Sequence, residues 1–201
     1  MKQFSRIVAL SALIFGGLAS ASASPLQSFS PNLSNLVTST GGSDVTSSFT
    51  DSYIAWVFAD PNNVLCANCL DFIYVFTDNT GSSANIDHIS MSNFGAFTTD
   101  VGVSTANTNF GPADFTSSGG TITYDFTGSN ELFVGTTSSL LVIETNAIGA
   151  AEVQAGSITL SSAAGSITVP GFQPIPEPAT LSLLGTGLLG AVGVIRRRFA
   201  A

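Results

Sequence analysis

The middle of this 201-residue chain has no basic side chains. All five Lys and Arg residues lie near the two ends, so residues 24–175 contain none, although they hold twelve of the thirteen acidic residues. Such a body cannot neutralise phosphates, which excludes nucleic acid as a partner. It also lacks Lys and Arg for internal salt bridges, so its fold must depend on apolar burial and hydrogen bonds.

Charge of either sign is scarce. Charged residues make up 9% of the chain, against about 25% in ordinary soluble domains. Ser, Thr, Gly and Asn occupy the polar positions instead. Apolar residues make up 44% of the chain, which is enough to form a core and argues against general disorder.

Cysteine and histidine are nearly absent. The two cysteines form the motif Cys66-Ala67-Asn68-Cys69, and His88 is the single histidine. A zinc site would need more Cys or His ligands, and no helix follows the motif to lower the pKa of a thiol. In an oxidising compartment two lone cysteines should pair. We therefore expect a local disulfide between Cys66 and Cys69, and no metal or other cofactor bound there.

The N-terminus has the pattern of a secretory signal peptide. Lys2 and Arg6 precede an apolar run, Ile7 to Leu18, which is too short for a permanent membrane span. Small residues follow, and a signal peptidase accepts these next to its cleavage site. We expect residues 1–23 to be removed by cleavage before Ser24, with cleavage before Ser22 as the alternative.

The C-terminus has the pattern of a membrane anchor. Residues 179–195 are apolar and uncharged, and Arg196, Arg197 and Arg198 follow them. This length is at the short end of the range for a transmembrane helix. The arginines on one side place that end in the cytoplasm. The body would then lie outside the cytoplasm, in agreement with a signal peptide.

The same C-terminal segment carries a specific motif. Pro176-Glu177-Pro178 precedes a span rich in Gly and Leu, and the arginine cluster ends the segment. In this order residues 176–201 resemble the PEP-CTERM sorting signal. The resemblance implies recognition by an exosortase, a membrane-embedded transpeptidase-like protease of Gram-negative bacteria that make exopolysaccharide. It also implies cleavage near the triplet and delivery of the body to the cell surface or extracellular matrix.

Residues 24–175 have the pattern of an all-β ectodomain. Apolar or alternating runs, separated by turn residues, predict at least seven short strands and no helix of useful length. In residues 121–126 we expect Ile122, Tyr124 and Phe126 to point inward. The number and spacing of the strands predict a single β-sandwich, similar to a jelly roll. The segments predicted as strands are residues 53–58, 70–76, 86–91, 121–126, 140–143, 155–160 and 166–169.

The body also resembles ectodomains that recur with this sorting tail. The resemblance is carried by Asp71-Phe72-Ile73-Tyr74, by residues 95–102 and by residues 140–147. It implies no particular activity.

The residues of the body do not indicate an enzyme. Asp87 and His88 are neighbours, so in a strand their side chains would point to opposite faces and could not act as a pair. A Ser-His-Asp triad would need a carboxylate from a distant strand, and the chain has no Gly-x-Ser-x-Gly elbow. We expect His88 to be a surface residue and the protein to be non-enzymatic.

Two alternatives to a plain surface or matrix protein stay open. Acidic and Asn-rich segments at Asp44, Asp51, residues 60–63 and Asp78-Asn79 offer oxygen ligands for calcium, although solvated turns are the simpler interpretation and no EF-hand loop occurs. The first alternative is therefore a calcium- or carbohydrate-binding module on the same anchor, with exopolysaccharide as a candidate partner. The second is a secreted hydrolase. Signal peptidase, the exosortase and the membrane are the expected processing partners.

Overall fold

The computed structural model describes residues 33–46, 50–60, 65–104 and 109–175. These residues form an all-β fold of ten strands with three single-turn 3₁₀ helices, Leu33–Asn35, Gly128–Asn130 and Ala150–Glu152. The strands are β1 (Leu36–Val45), β2 (Thr50–Ala59), β3 (Cys69–Asp78), β4 (His88–Met91), β5 (Thr99–Val103), β6 (Asp114–Ser118), β7 (Thr121–Asp125), β8 (Leu141–Ile148), β9 (Val153–Ser162) and β10 (Gly165–Pro174).

The strands form two antiparallel sheets of five strands each. The first sheet has the order β1-β2-β3-β8-β5, and the second has the order β10-β9-β4-β7-β6. Connections β1–β2, β2–β3, β6–β7 and β9–β10 are hairpins within one sheet, and the other connections cross between the sheets. The all-β class is confirmed, while the finer likeness to a jelly roll stays a prediction.

One cluster of buried apolar side chains joins the two sheets. Phe72 and Leu141 contribute to it from the first sheet, and Ile89 and Leu160 contribute from the second. The sheets thus face one another across a shared core, as a β-sandwich requires. The predicted inward residues of the second sheet are also confirmed, since Ile122, Tyr124 and Phe126 are fully buried in this cluster.

Two buried tyrosines link the sheets by hydrogen bonds in opposite directions. Tyr74 of the first sheet donates its hydroxyl proton to the carbonyl oxygen of Phe172 in β10, at 2.8 Å. Tyr124 of the second sheet lies 2.8 Å from the carbonyl oxygen of Val142 in β8 and donates to it. Each ring fills the core while its hydroxyl is paired, which is the arrangement a buried tyrosine needs.

All seven predicted strand segments lie in strands of the structure, with small differences at their ends. The apolar residues of β2 are covered on both faces, because Ala55 and Val57 pack in the core between the sheets while Phe58 packs in a second apolar cluster on the other face. β4 begins at His88 rather than at Ile86, which instead forms an isolated bridge with Leu132. Phe126 lies just beyond β7, where its N–H donates to the carbonyl oxygen of Asp87 at 2.6 Å.

The body ends where the C-terminal motif begins. The last residue of β10, Pro174, is paired with Val153 of β9. The N–H of Ile175 donates to the carbonyl oxygen of Glu152 at 2.9 Å. Residues 1–32 and 176–201, which include the predicted signal peptide, sorting triplet, transmembrane helix and arginine cluster, lie outside the described residues.

Candidate functional site

Three carboxylates lie side by side across the outer face of the first sheet. Glu144 of β8 is directly opposite Asp71 of β3 on one side and Asp100 of β5 on the other. Residues paired in this way are about 4.5–5.5 Å apart and point to the same face. In β3 the even-numbered residues such as Phe72 enter the core, so Asp71 points away from it. We call Asp71, Glu144 and Asp100 the outer acidic row.

A fourth carboxylate, Asp60, lies next to the outer acidic row. It follows the last residue of β2, and its N–H donates to the carbonyl oxygen of Cys69, at the start of β3, at 2.7 Å. Its negative charge acts on both Asp71 and Glu144. Four acidic side chains are therefore gathered at the end of the first sheet where β2 leads into β3.

The members of this group are unusually well buried for acidic residues. Asp71 is 1% exposed, Glu144 is 5% exposed and Asp60 is 6% exposed. Neither carboxylate oxygen of Asp71 has a hydrogen-bond partner, and Oε2 of Glu144 has none. Buried carboxylates almost always have partners, so these oxygens need an explanation.

Burial and mutual repulsion raise the pKa values of two members of the row. Burial, followed by the negative charges of Asp60 and Glu144, raises the pKa of Asp71 to about 8. Burial, followed by the charges of Asp60 and Asp100, raises the pKa of Glu144 to about 7. Near neutral pH the row therefore keeps protons that ordinary carboxylates lose, unless a cation replaces them.

An apolar cluster borders the outer acidic row on the same face. Phe58 of β2 lies opposite Asp71, and it packs with Ile73 and Val142 in a second buried cluster. Trp56 and Leu140 pack against that cluster from the side. Phe58 thus supplies part of the apolar surroundings that make ionisation of Asp71 unfavourable.

A second group of carboxylates occupies the other end of the same sheet. Asp51 of β2 lies opposite Asp44 of β1 and Asp78 of β3. Asp51 shares the face of β2 that carries Tyr53 into the core, so we call these three residues the inner acidic row. Asp51 and Asp78 are fully buried, and none of their carboxylate oxygens has a hydrogen-bond partner.

The pKa values of Asp51 and Asp78 in the inner acidic row are also raised. Burial, followed by the charge of Asp44, raises the pKa of Asp51 to about 6. Burial also raises the pKa of Asp78. The Ser82 hydroxyl lies near Asp78, but it donates to the carbonyl oxygen of Thr50 at 2.9 Å. The hydroxyl proton of Ser82 is therefore committed to Thr50, and both carboxylate oxygens of Asp78 are without a donor.

Sequence reasoning described these acidic residues only in part. It named Asp44, Asp51 and Asp78 as loop residues, whereas the structure places all three within strands. The simpler expectation that they are solvated turn residues is wrong for Asp51, Asp78 and Asp60, because all three are buried. Sequence reasoning did not single out Asp71, Asp100 and Glu144 as a group of acidic residues. The three residues become neighbours only through the register of β3, β8 and β5. The sequence does not give that register, so no sequence pattern could have grouped them.

His88 has an acidic partner on the neighbouring strand. It lies opposite Asp125 of β7, and its Nδ1 is 2.6 Å from Oδ1 of Asp125. Asp87 does not share this face, and its Oδ2 instead accepts a hydrogen bond from the N–H of Ala163 at 3.1 Å. Ser161 of β9 lies opposite His88 on the other side, but no hydrogen bond between them is found among the described residues. The side chain of His88 is 45% exposed, in agreement with a position at the surface.

The cysteines pair as predicted. Cys66 and Cys69 form a disulfide with their Cα atoms 5.4 Å apart. Cys69 begins β3, so the bond closes the end of the connection from β2 to β3. That connection also carries Asp60, which places the disulfide beside the outer acidic row.

The described residues do not contain a preformed metal centre or a membrane span. Within the described ranges, no three His, Cys, Asp or Glu side chains already stand in an arrangement that would hold a metal ion. In the same part of the chain no helix is long and apolar enough to cross a bilayer. The predicted span at residues 179–195 lies outside these ranges.

The C-terminal segment matches a known family model. Residues 174–198 match the PEP-CTERM protein-sorting motif, so the match includes Pro176, Glu177 and Pro178 as well as Arg196, Arg197 and Arg198. The expected resemblance is confirmed for this segment, and the chain carries a PEP-CTERM sorting motif. The motif implies exosortase-dependent sorting of an exported surface protein. No curated protein and no solved structure matches the chain.

Proposed function

We propose that this PEP-CTERM-bearing chain is a non-enzymatic surface or matrix protein of a Gram-negative bacterium. Its signal peptide, residues 1–23, directs export and is removed by signal peptidase. Residues 179–195 hold the body at the inner membrane during transit, with Arg196, Arg197 and Arg198 in the cytoplasm. An exosortase then cuts near Pro178 and delivers the body to the surface, where exopolysaccharide is the candidate partner.

The observation that carries this proposal is the position of the sorting motif relative to the fold. The match begins at Pro174, which is also the last residue of β10. Cleavage near Pro178 would therefore leave every strand and every described hydrogen bond of the body in place. Two prolines around Glu177 disfavour helix on the body side of the membrane span, which leaves an extended peptide for a protease.

The charge of the body supports a role at the surface. Residues 24–175 carry twelve acidic residues and neither Lys nor Arg. A net charge far from zero favours a soluble body that repels its own copies and the negative membrane surface. Such a body would leave the membrane once its anchor is cut.

The contact between His88 and Asp125 gives this histidine a structural role. Asp125 engages its Nδ1, but no serine hydroxyl donates to the histidine among the described residues. A nucleophile within hydrogen-bond reach of its base is the first requirement of serine-type hydrolysis. The pair His88–Asp125 acts instead as a cross-strand contact between β4 and β7.

The sorting proposal is tested with the full chain in an exopolysaccharide-producing host and in the same host without its exosortase. We expect the intact mass of the mature protein to end near Pro178 in the first host only. The triple variant Pro176→Ala, Glu177→Ala, Pro178→Ala should stay uncut in the inner membrane, while the control Pro170→Ala is processed normally. A mature protein that retains Arg196 to Arg198 in both hosts would overturn the proposal.

A further inference from the structure

The three carboxylates of the outer acidic row have no Lys or Arg side chain within residues 24–175 to pair with. The single histidine, His88, lies on the second sheet and is engaged by Asp125. Asp71 and Glu144 face other carboxylates across β3, β8 and β5, and Asp60 adds a further negative charge. Residues 24–175 therefore offer no side-chain cation to neutralise the row, which leaves protons or a bound cation.

The unpartnered oxygens of the row are suited to a hard cation. Both oxygens of Asp71 and Oε2 of Glu144 are buried without a hydrogen-bond donor. Asp100 is half-buried at the open side of the row, which leaves a route for an ion. Calcium takes six to eight oxygen ligands, including carboxylates, carbonyls and water, in a flexible geometry. Magnesium demands a tighter octahedral arrangement, which a row of strand residues does not supply.

We propose that Asp60, Asp71, Asp100 and Glu144 bind one calcium-type divalent cation on the outer face of the first sheet. Asp71 and Glu144 are the central ligands, because they are buried and adjacent. Asp60 and Asp100 flank them. Backbone carbonyls and water complete the coordination.

The positions of the ligands without an ion determine the calcium affinity that we expect. Since the described side chains do not already stand in a coordinating geometry, the ligands must move to bind, which weakens the apparent affinity. Extracellular calcium modules bind with dissociation constants of roughly 10⁻⁴–10⁻³ M, and we expect this site to fall in that range. Because the ion displaces protons from Asp71 and Glu144, its apparent affinity should rise with pH.

The inner acidic row is the competing location. It offers three carboxylates rather than four, and Asp51 and Asp78 are both fully buried on the core side of the sheet. Asp44 is the one member of that row that is not fully buried. The outer acidic row has more ligands and lies on an outer face, so we assign the ion to it.

The test uses the full-length chain in detergent after removal of divalent cations with EDTA. Calcium is titrated by calorimetry, and thermal unfolding is followed with and without calcium. We expect saturable binding of one ion and a rise in Tm. Asp71→Asn and Glu144→Gln should each weaken binding by at least about tenfold. The matched control is Asp51→Asn, which removes a buried carboxylate from the inner acidic row and should leave binding unchanged.

Folding of the variants is checked in the same experiment. Asp71→Asn replaces a buried carboxyl group by an amide of similar shape that cannot ionise, so its Tm without calcium should equal or exceed that of the unaltered protein. Loss of the calcium response with an undiminished Tm identifies a ligand and not a merely structural residue. Unaltered calcium binding in both Asp71→Asn and Glu144→Gln would overturn the proposal, and so would loss of binding in Asp51→Asn. A protein without saturable binding up to about 10 mM calcium, which is well above the expected dissociation constant, would also overturn it. None of these outcomes depends on processing at Pro178.

Discussion

Asp71 and Glu144 lie directly opposite one another on β3 and β8, with both side chains buried and neither paired with a cation among the described residues. Such a pair cannot carry two negative charges without a large penalty, so it must hold protons or an ion. The same relationship makes the stability of the fold depend on pH and on the neighbouring charges of Asp60 and Asp100.

Without divalent cations, stability should decrease as the pH rises. The pKa of Asp71 is raised to about 8 in the folded state, so between about pH 4 and pH 8 the folded protein holds a proton that the unfolded chain has lost. The free energy of unfolding must fall through that window. The raised pKa values of Glu144 and Asp51 act in the same direction.

This prediction is measured by urea denaturation in EDTA at several pH values. We expect a loss of about 4 kcal/mol or more between about pH 5 and pH 8 for the unaltered protein, since one retained proton changes stability by about 1.4 kcal/mol per pH unit. Asp71→Asn should flatten the profile, while Asp114→Asn, at an exposed position, should keep the original slope. A stability that rises across this window would show that these carboxylates are ionised in the fold.

The two tyrosine hydroxyls that join the sheets should each contribute to stability. Tyr124→Phe would leave the carbonyl oxygen of Val142 without its 2.8 Å donor, and Tyr74→Phe would do the same to Phe172. Each change should cost about 1–2 kcal/mol. Tyr53→Phe is the control, because no hydrogen bond of its hydroxyl is found among the described residues. Equal effects for all three variants in urea denaturation would mean that the inter-sheet bonds contribute nothing specific.

The hairpin between β6 and β7 contains two adjacent glycines that should differ in their tolerance of a side chain. A Cβ on Gly120 would lie 2.6 Å from the backbone nitrogen of Gly95, and its φ is +83°. The backbone of Gly95 cannot easily move away, and a side chain disfavours a positive φ. Gly120→Ala should therefore lower the free energy of unfolding by about 3 kcal/mol or more. Gly119 also has a positive φ, but a Cβ there meets nothing within 4 Å. Gly119→Ala should cost only about 1–2 kcal/mol, and thermal unfolding of the two variants tests the difference.

The strands that sequence patterns missed share a position in the fold. β1, β5 and β6 are all edge strands. An edge strand with a solvated face needs no apolar alternation, and β1 reads Leu-Val-Thr-Ser-Thr-Gly-Gly-Ser-Asp-Val with no buried residue. Its backbone is held by pairing with β2 rather than by its own side chains. The interior strands β3 and β8 were found because they are buried on both faces, which makes most of their residues apolar.

The candidate site was less predictable than the fold for a related reason. Asp71 and Glu144 are far apart along the chain, and only the antiparallel register of β3 and β8 brings them together. Sequence spacing carries no information on that register. The disulfide and the sorting motif could be predicted because each is local, within a few residues or a single segment.

The disulfide should contribute modestly, because the ring between Cys66 and Cys69 is small. Loop-closure arithmetic for about four residues gives about 2 kcal/mol. We expect the double variant Cys66→Ala, Cys69→Ala to fold with a Tm a few degrees lower, and reduction of the unaltered protein to give the same shift. A reduced protein that unfolds completely would mean that the bond holds more than its own loop.

Processing at the sorting motif should leave the stability of the body unchanged. The last described hydrogen bond of the body runs from the N–H of Ile175 to Glu152, so a chain that ends at Pro178 keeps every strand. A chain that ends at Pro170 loses Phe172, whose carbonyl oxygen accepts the hydroxyl of Tyr74, together with the last pairs of β10 with β9. We expect the first truncation to unfold at the same urea concentration as the full chain and the second to lose several kcal/mol, since it removes packing and a buried hydrogen bond together. Equal loss in both would mean that residues beyond Pro178 support the fold, and release by cleavage would then destabilise the product.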